Sequence, residues 1–285
     1  MVSKPRRRPG PRSLREPVRF VPEPLRPRKS LGQNFLRDPN IARRIVRAID
    51  PRPSDVMLEI GPGEGALTKY LAPKVGRLIV VDVDQRVVER METLFPETEI
   101  VHDDFLQVDL DSVAQDHGVA LRVVGNIPYN ITSPILFHIL DHRSSVADAT
   151  LMVQKEVARR LAAGPGTKDY GILSVFFQLF TAVDILFDVS CHAFYPEPDV
   201  TSSVIQLRSL RTPRHELADE EIFRSMVRSV FGKRRKMLRG SMKYFCTEYG
   251  YRLPEEQDLT RRPEDLSVEE FVRMSNSLVD AGGQE

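Results

Sequence analysis

The segment Val56-Met-Leu-Glu59-Ile60-Gly61-Pro-Gly63-Glu-Gly65-Ala66 joins a short apolar run to a glycine-rich turn and a helical pattern that reaches about Ala72. Glycines at the end of a strand let the backbone approach a ligand closely. The helix that follows offers N–H groups with no partner of their own. Gly61-x-Gly63-x-x-Ala66 also meets the dinucleotide-binding pattern. A second apolar run, Leu78–Val81, precedes a second helical stretch, Gln85–Leu94. Asp82 closes that run where a ribose hydroxyl pair needs an acceptor. Together these features predict an adenosine-type cofactor in an α/β sheet, with a ligand-free structural turn as the alternative.

The alternation continues outward. Asp38-Pro39 supplies an N-cap and a proline at the first helical position, and Ile41, Ile45, Val46 and Ile49 mark one face of the helix. Glu99–Val101, Leu121–Val124 and Ala149–Val153 read as further strands, with helices at 131–141 and 154–163. Strands separated by helices of this length predict a mostly parallel sheet covered on both faces. Tyr170–Phe180 reads as a buried helix. Asp184–Ser190 and Ser202–Leu207 read as an antiparallel edge pair joined by the proline-rich loop Phe194–Pro198. From Ala218 only helices follow, at about 219–231, 233–248 and 266–279. The expected division is a disordered basic tail over 1–28, an α/β domain over 29–210 and a small all-α domain over 211–285.

Composition bounds the possibilities. The chain has 285 residues, 41% hydrophobic and 28% charged, as in an ordinary globular protein. No run approaches the roughly 18–20 apolar residues of a membrane-spanning helix. No basic-then-apolar leader is read, and the two cysteines, Cys191 and Cys246, exclude a disulfide framework and a Cys-rich zinc module. No metal site is expected, and a cytoplasmic monomer is. The net charge of +1 hides an asymmetry. Residues 1–30 hold ten Lys/Arg against two acids, and residues 222–243 hold eight against none, leaving 23 basic against 38 acidic residues elsewhere. Two basic segments on an acidic body point to a polyanion, favouring nucleic acid over a merely solvated tail and helix face. The seven prolines of residues 1–28 argue against the amphipathic helix of a transit peptide and for disorder.

Asn126-Ile127-Pro128-Tyr129 follows the fourth strand and suits one task. An exocyclic aromatic amine is a poor nucleophile because its lone pair is delocalised into the ring. Two acceptors, the Asn126 side-chain oxygen and the Pro128 carbonyl, can draw that nitrogen toward tetrahedral geometry, while Tyr129 stacks on the base. Such catalysis rests on positioning and electrostatics and needs no base of shifted pKa. Asp103-Asp104-Phe105, after the third strand, lies at the sheet edge where a carboxylate can accept from an adenine amino group. A solvated loop acid is the plainer reading of that pair.

These motifs resemble the ribosomal RNA adenine dimethyltransferase family, from about Leu31 to about Leu278. Gly32-Gln33-Asn34-Phe35-Leu36, Glu59 to Gly65, Asn126 to Tyr129 and Phe194-Tyr-Pro196-Glu-Pro198-Asp-Val200 carry the resemblance. Gln154 to Arg159, Tyr170 to Ser174 and Lys233-Arg234-Arg235-Lys236 add to it. It implies a Rossmann-like methyltransferase sheet, mostly parallel with an antiparallel edge strand, a helical C-terminal domain, and S-adenosylmethionine as cofactor. By motif match, Gln33, Asn34 and Leu36 line the methionine end of the cofactor. Glu59, Gly61, Gly63 and Gly65 form its loop, Asp82 and Val83 flank its ribose, and Asp104 and Phe105 flank its adenine. Asp103 offers the alternative register for that acid, and Asp82 stands where the family usually has glutamate. Phe194 matches a ring that sandwiches a flipped adenine against Tyr129, as base flipping requires.

The basic stretch Arg234, Arg235 and Lys236 is most like the bacterial small-subunit (16S) dimethylases of kasugamycin-resistance type. The implied partner is small-subunit rRNA or a 30S precursor, and the implied reaction is dimethylation of adjacent adenosines near the 3′ end of that RNA. The macrolide-resistance enzymes acting on 23S rRNA are the nearest alternative. A non-catalytic rRNA-binding assembly factor and an NAD-dependent dehydrogenase are the others. The intact tetrapeptide disfavours the former, and the lack of a hydride-handling His or Lys disfavours the latter.

Overall fold

A computed structural model describes residues 23–233, 236–254 and 258–282. The elements are β1 (Phe35–Leu36), α1 (Pro39–Ile49), β2 (Val56–Ile60), α2 (Thr68–Leu71), β3 (Arg77–Asp82), α3 (Gln85–Leu94), β4 (Glu99–His102), α4 (Leu110–His117), β5 (Leu121–Asn126) and α5 (Thr132–Asp141). They continue with β6 (Val146–Gln154), α6 (Lys155–Ala162), α7 (Ile172–Phe180), β7 (Thr181–Val189), β8 (Phe194–Tyr195), β9 (Ser202–Ser209), α8 (Glu220–Gly232), α9 (Leu238–Tyr249) and α10 (Val268–Gly282). Asp38 caps α1 by accepting from Asn40 N at 2.7 Å, as its place before Pro39 predicts. The α4 helix has no clear apolar period and is not anticipated from the pattern. It is set by its ends: Asp109 accepts from the N–H groups of Asp111 and Ser112, and Gly118 closes it in the left-handed region.

Seven strands form one sheet in the order β4-β3-β2-β5-β6-β9-β7. Pairings from β4 through β6 are parallel, and β9 runs antiparallel to both β6 and β7. The reversed strand therefore lies one place inside the edge, with β7 outermost. The loop between β7 and β9 is not featureless: β8 pairs antiparallel with β1, Leu36 opposite Phe194.

Alternate strand residues feed two buried layers. Val56, Leu58 and Ile60 of β2, Ile79 and Val81 of β3, and Leu121 and Val123 of β5 face one cluster with α4 to α7. Met57, Leu78, Val80 and Val124 face the other with α1 to α3. This period of two within continuously apolar strands is what a parallel sheet buried on both faces requires.

The first cluster does not stop at the sheet. It takes in Phe223, Met226, Val227 and Val230 of α8, Leu238, Met242 and Phe245 of α9, and Phe271 and Leu278 of α10. The Phe176 and Phe223 rings meet at 5.8 Å. The α9 helix starts at Leu238, later than expected, because the N–H groups of Leu238 and Arg239 bond to the carbonyls of Arg261 and Leu259. Lys233 and Lys236 thus lie in the connection before the helix, while Arg234 and Arg235 fall outside the described residues. Met237 points outward at 57% exposure.

Phe223 is fully buried in this shared cluster. Phe223→Ala should lower stability by about 3–5 kcal/mol through lost burial and a residual cavity. Urea unfolding followed by far-UV circular dichroism and by tyrosine fluorescence should shift together, because sheet and helices share one core.

Candidate functional site

The order of the parallel strands reverses between β2 and β5, the place where open α/β sheets bind ligands beyond their carboxyl ends. A cavity of about 310 Å³ opens there. Its walls are the ends of four strands: Ile60, Gly61 and Gly63 after β2, Val81, Asp82 and Val83 after β3, Asp103, Asp104 and Phe105 after β4, and Asn126 to Ile131 after β5. Residues Ser30 to Phe35 cross it from the N-terminal side.

Most sequence-predicted residues meet here: Gln33, Asn34, Gly61, Gly63, Asp82, Val83, Asp104, Phe105, Asn126, Pro128 and Tyr129 all line the cavity. Three cofactor candidates do not. Leu36 is buried in the second cluster, opposite Phe194. Glu59 is buried beneath the loop, where Thr68 Oγ1 donates to its Oε2 at 2.7 Å. Gly65 turns against the Phe95 ring. These residues shape the loop from behind. Gly63 explains the local glycine requirement: at φ 56° it sits where a Cβ would come within 2.8 Å of the Phe35 ring.

The cavity suits an adenosylated amino acid. Gly61 has open space where a side chain would begin, so a ligand can lie against its backbone. Asp82 Oδ1 accepts from Asp84 N at 2.8 Å, leaving Oδ2 for a ribose hydroxyl. Burial pushes the Asp82 carboxyl up to about 6. Asp104 Oδ1 accepts from Leu106 N at 3.0 Å, and Asp103 Oδ1 accepts from Asp104 N at 2.7 Å. Both acids keep one oxygen free and both line the cavity, so either register is compatible with an adenine amine.

The catalytic loop is locked from two sides. Asn126 Nδ2 donates to the Asn34 carbonyl at 2.7 Å, so its Oδ1 is the end left to accept. The Tyr129 hydroxyl pairs with Ser202 Oγ at 2.6 Å, tethering the ring to β9, and burial raises its pKa. The Pro128 carbonyl, expected as the second acceptor, is occupied instead. It receives Ile131 N at 3.2 Å and Thr132 Oγ1 at 3.1 Å as the chain turns into α5. Among the described residues nothing donates to the Ile127 carbonyl. Phe194, expected as a second stacking ring, is only 3% exposed and belongs to the core cluster with Leu36, Ala193 and Val204. It does not line the cavity because β8 pairing with β1 turns it inward.

Asp84, which motif reading passes over, stands beside the site. Its place before Gln85–Leu94 signals an N-cap, and it does accept from Arg86 N. It also holds Arg86 and Arg28 in ion pairs and accepts from Gln33 Nε2 at 3.1 Å. Arg86 hydrogen bonding pulls its carboxyl down to about 2.

The sequence profile described as Ribosomal RNA adenine dimethylase matches residues 25–280. The chain belongs to this family. It is 44% identical to a protein of Geobacter metallireducens named Ribosomal RNA small subunit methyltransferase A, over 92% of this chain and 99% of that one. A protein of the same name from Chromohalobacter salexigens is 41% identical over 95% and 98%. Among solved structures, a dimethyladenosine transferase from Plasmodium falciparum superposes with a TM-score of 0.69 at 25% identity, over 87% of this chain and 98% of that one. The 23S rRNA methyltransferase ErmE gives 0.61 at 29% identity, over 86% and 100%. As in the family, the fold is that of a Rossmann-like methyltransferase and the cofactor is S-adenosylmethionine.

The buried Glu59 makes a testable electrostatic prediction. Desolvation raises its carboxyl from 4.5 to about 7 despite the Thr68 bond. A group favouring its protonated form when folded stabilises fully below its unfolded pKa and loses that contribution as pH rises through the folded one. Wild-type stability should therefore fall by on the order of 3 kcal/mol between pH 4.5 and 7 through this group alone. Glu59→Gln, which still accepts from Thr68, should lack that component. Denaturant unfolding of both proteins at about pH 4 and about pH 8, on either side of that range, checks it.

Proposed function

We propose that the protein transfers two methyl groups from S-adenosylmethionine to the exocyclic nitrogen of adenosines in small-subunit rRNA, acting in the cytoplasm as a monomer on a 30S precursor. The observation that carries this reading is the Asn126 amide, fixed by Asn34 so that its oxygen faces the cavity beside an unoccupied Ile127 carbonyl. The cofactor supplies an electrophilic methyl group when bound. In the first transfer Asn126 Oδ1 and the Ile127 carbonyl accept from the two N–H bonds of the adenine amine, which withdraws its lone pair from the ring and aims it for attack; in the second, the one remaining N–H leaves a single such bond to hold the nitrogen. Neither acceptor takes up a proton. The methylated nitrogen loses its proton to water, because an aryl-ammonium is a strong acid. Tyr129 supplies the stacking face, oriented by Ser202. Phe194, buried at 3% exposure, is not given a stacking role in this arrangement.

Small-subunit RNA is favoured over large-subunit RNA by the names of the relatives at 41–44% identity, which span nearly the whole chain. The basic stretch 222–243 is the candidate rRNA contact, though its charges differ in availability. Arg224 is paired with Glu220 and Asp141, and the Lys233 ammonium lies 3.1 Å from the centre of the Tyr244 ring. Lys236, Arg239 and Lys243 are exposed.

Asn126→Ala should leave the fold intact and slow methyl transfer a hundredfold or more, the cost of about 3–4 kcal/mol for losing a preorganised acceptor. Single-turnover methylation of 30S precursors with labelled cofactor checks it, and turnover like the wild type would end this mechanism. Replacing Arg234, Arg235 and Lys236 by alanine should flatten the plot of log RNA affinity against log salt by about two to three contacts' worth, with cofactor affinity untouched. An unchanged slope would mean that the RNA is held elsewhere.

A further inference from the structure

Residues 23–34 form a strap bound along one side of the cofactor cavity. Composition assigns residues 23–28 to a disordered tail, yet their backbone is held at successive points. Arg90 Nη1 donates to the Glu23 carbonyl at 2.8 Å, Leu25 N donates to Glu64 Oε1 at 2.9 Å, and Arg86 Nη1 donates to the Arg26 carbonyl at 3.0 Å. The strap then turns over the cavity. Arg28 N donates to Gln33 Oε1 at 2.9 Å, and Gly32, at φ 61°, passes so close to the catalytic loop that a Cβ there would lie 2.5 Å from Asn130 Oδ1.

One buried side chain gathers these threads. The Asp84 side chain has no exposed surface, and it receives Gln33 Nε2 and the Arg28 guanidinium from the strap, and Arg86 from α3. Its backbone N–H donates to Asp82, the acid at the ribose end of the cavity. A carboxylate withdrawn from water keeps its charge only when paired, so moving the strap away strips it of two of its partners. The helix cap and Arg86 remain, which makes the strap contacts the separable part.

We infer that Asp84 is a positioning residue that latches the 23–34 strap over the cofactor cavity and thereby sets how tightly S-adenosylmethionine is retained. Arg28 and Gln33 are the two hooks of that latch. This rests on the cofactor assignment above and not on the identity of the RNA.

Asp84→Asn keeps a side-chain oxygen for the α3 cap and removes the charge. Titration calorimetry should show S-adenosylmethionine affinity weakened about tenfold, the scale of losing charge-assisted bonds at a partly exposed site. Affinity for rRNA should stay within about twofold, since phosphate contacts lie elsewhere. In steady state the Michaelis constant for the cofactor should rise with little change in kcat. Arg28→Ala should weaken cofactor binding in the wild type and add nothing in the Asp84→Asn background, because contacting partners are not additive. Trypsin cleavage after Lys29, a site kept in both variants, should be suppressed by the cofactor in the wild type and no longer in Asp84→Asn. Unchanged cofactor affinity in Asp84→Asn, or effects of the two substitutions that simply multiply, would overturn the latch and leave Asp84 as a helix cap. If Asp84→Asn does not fold, Arg28→Ala decides alone: cofactor affinity and trypsin protection equal to the wild type refute the latch, and loss of both supports it. Because the deciding readouts, calorimetry and trypsin protection, concern the cofactor alone, failure of the rRNA assignment would leave them unchanged.

Discussion

A parallel strand can be followed by a parallel neighbour only if the chain crosses back over a face of the sheet, and the crossovers on the two sides of β2 go opposite ways. Strands β3 and β4 are laid on one side of β2, and β5 and β6 on the other. The loops leaving β2 and β5 must therefore diverge, and a crevice opens between them at the carboxyl edge. The candidate residues are arrayed along it: the glycine loop leaves β2, Asp82 ends β3, Asp103 and Asp104 follow β4, and Asn126 ends β5.

The two acids that end β3 show how finely that edge is tuned. Asp82 and Asp84 are two residues apart and bonded to each other, yet burial drives the first up to about 6 while Arg86, with Gln33, drives the second down to about 2. The difference lies in the partners. Asp82 is met only by backbone N–H groups and lines the cavity, where neutral hydroxyls are the expected donors. Asp84 looks away from it into a nest of guanidinium and amide donors. One acid is left incompletely satisfied for a ligand, and its neighbour spends its full capacity on holding the wall.

Such division of labour is only partly legible in a sequence. Elements with strong local signals are placed within a residue or two: Val56–Ile60 and Gln85–Leu94 fall on the apolar run and the helical stretch read there. The α4 helix escapes because its identity lies in Asp109 and Gly118, not in a repeating face. Tertiary contacts account for the other differences. Pro128 in a turn reads as a free carbonyl, but the start of α5 uses it and leaves that of Ile127. Phe194 just ahead of two prolines reads as a loop ring, but pairing of β8 with β1, far away in sequence, buries it. The strap reads as disordered because its partners, Glu64, Asp84, Arg86 and Arg90, lie some 39 to 67 residues downstream.

Dimethylation adds a demand that single transfer does not. Each base consumes two cofactors, so the spent one must leave while the RNA stays or returns. The strand order separates the two ligands. The strap and the ribose and adenine acids belong to β3, β4 and α3, on one side of β2, whereas Asn126, Tyr129 and its Ser202 tether belong to β5 and β9, on the other. The helices carrying the exposed cations join the same core cluster as β5, β6 and α7. A strap that opens on the β3 side therefore exposes the cofactor while Tyr129 stays tethered to β9 through Ser202. The sides are joined at the end of the strap, where the Asn126 amide holds the Asn34 carbonyl and Gly32 passes against Asn130. The last residues of the strap thus orient the acceptor that acts on the amine, and closure over the cofactor and readiness of the catalytic amide become a single geometric event.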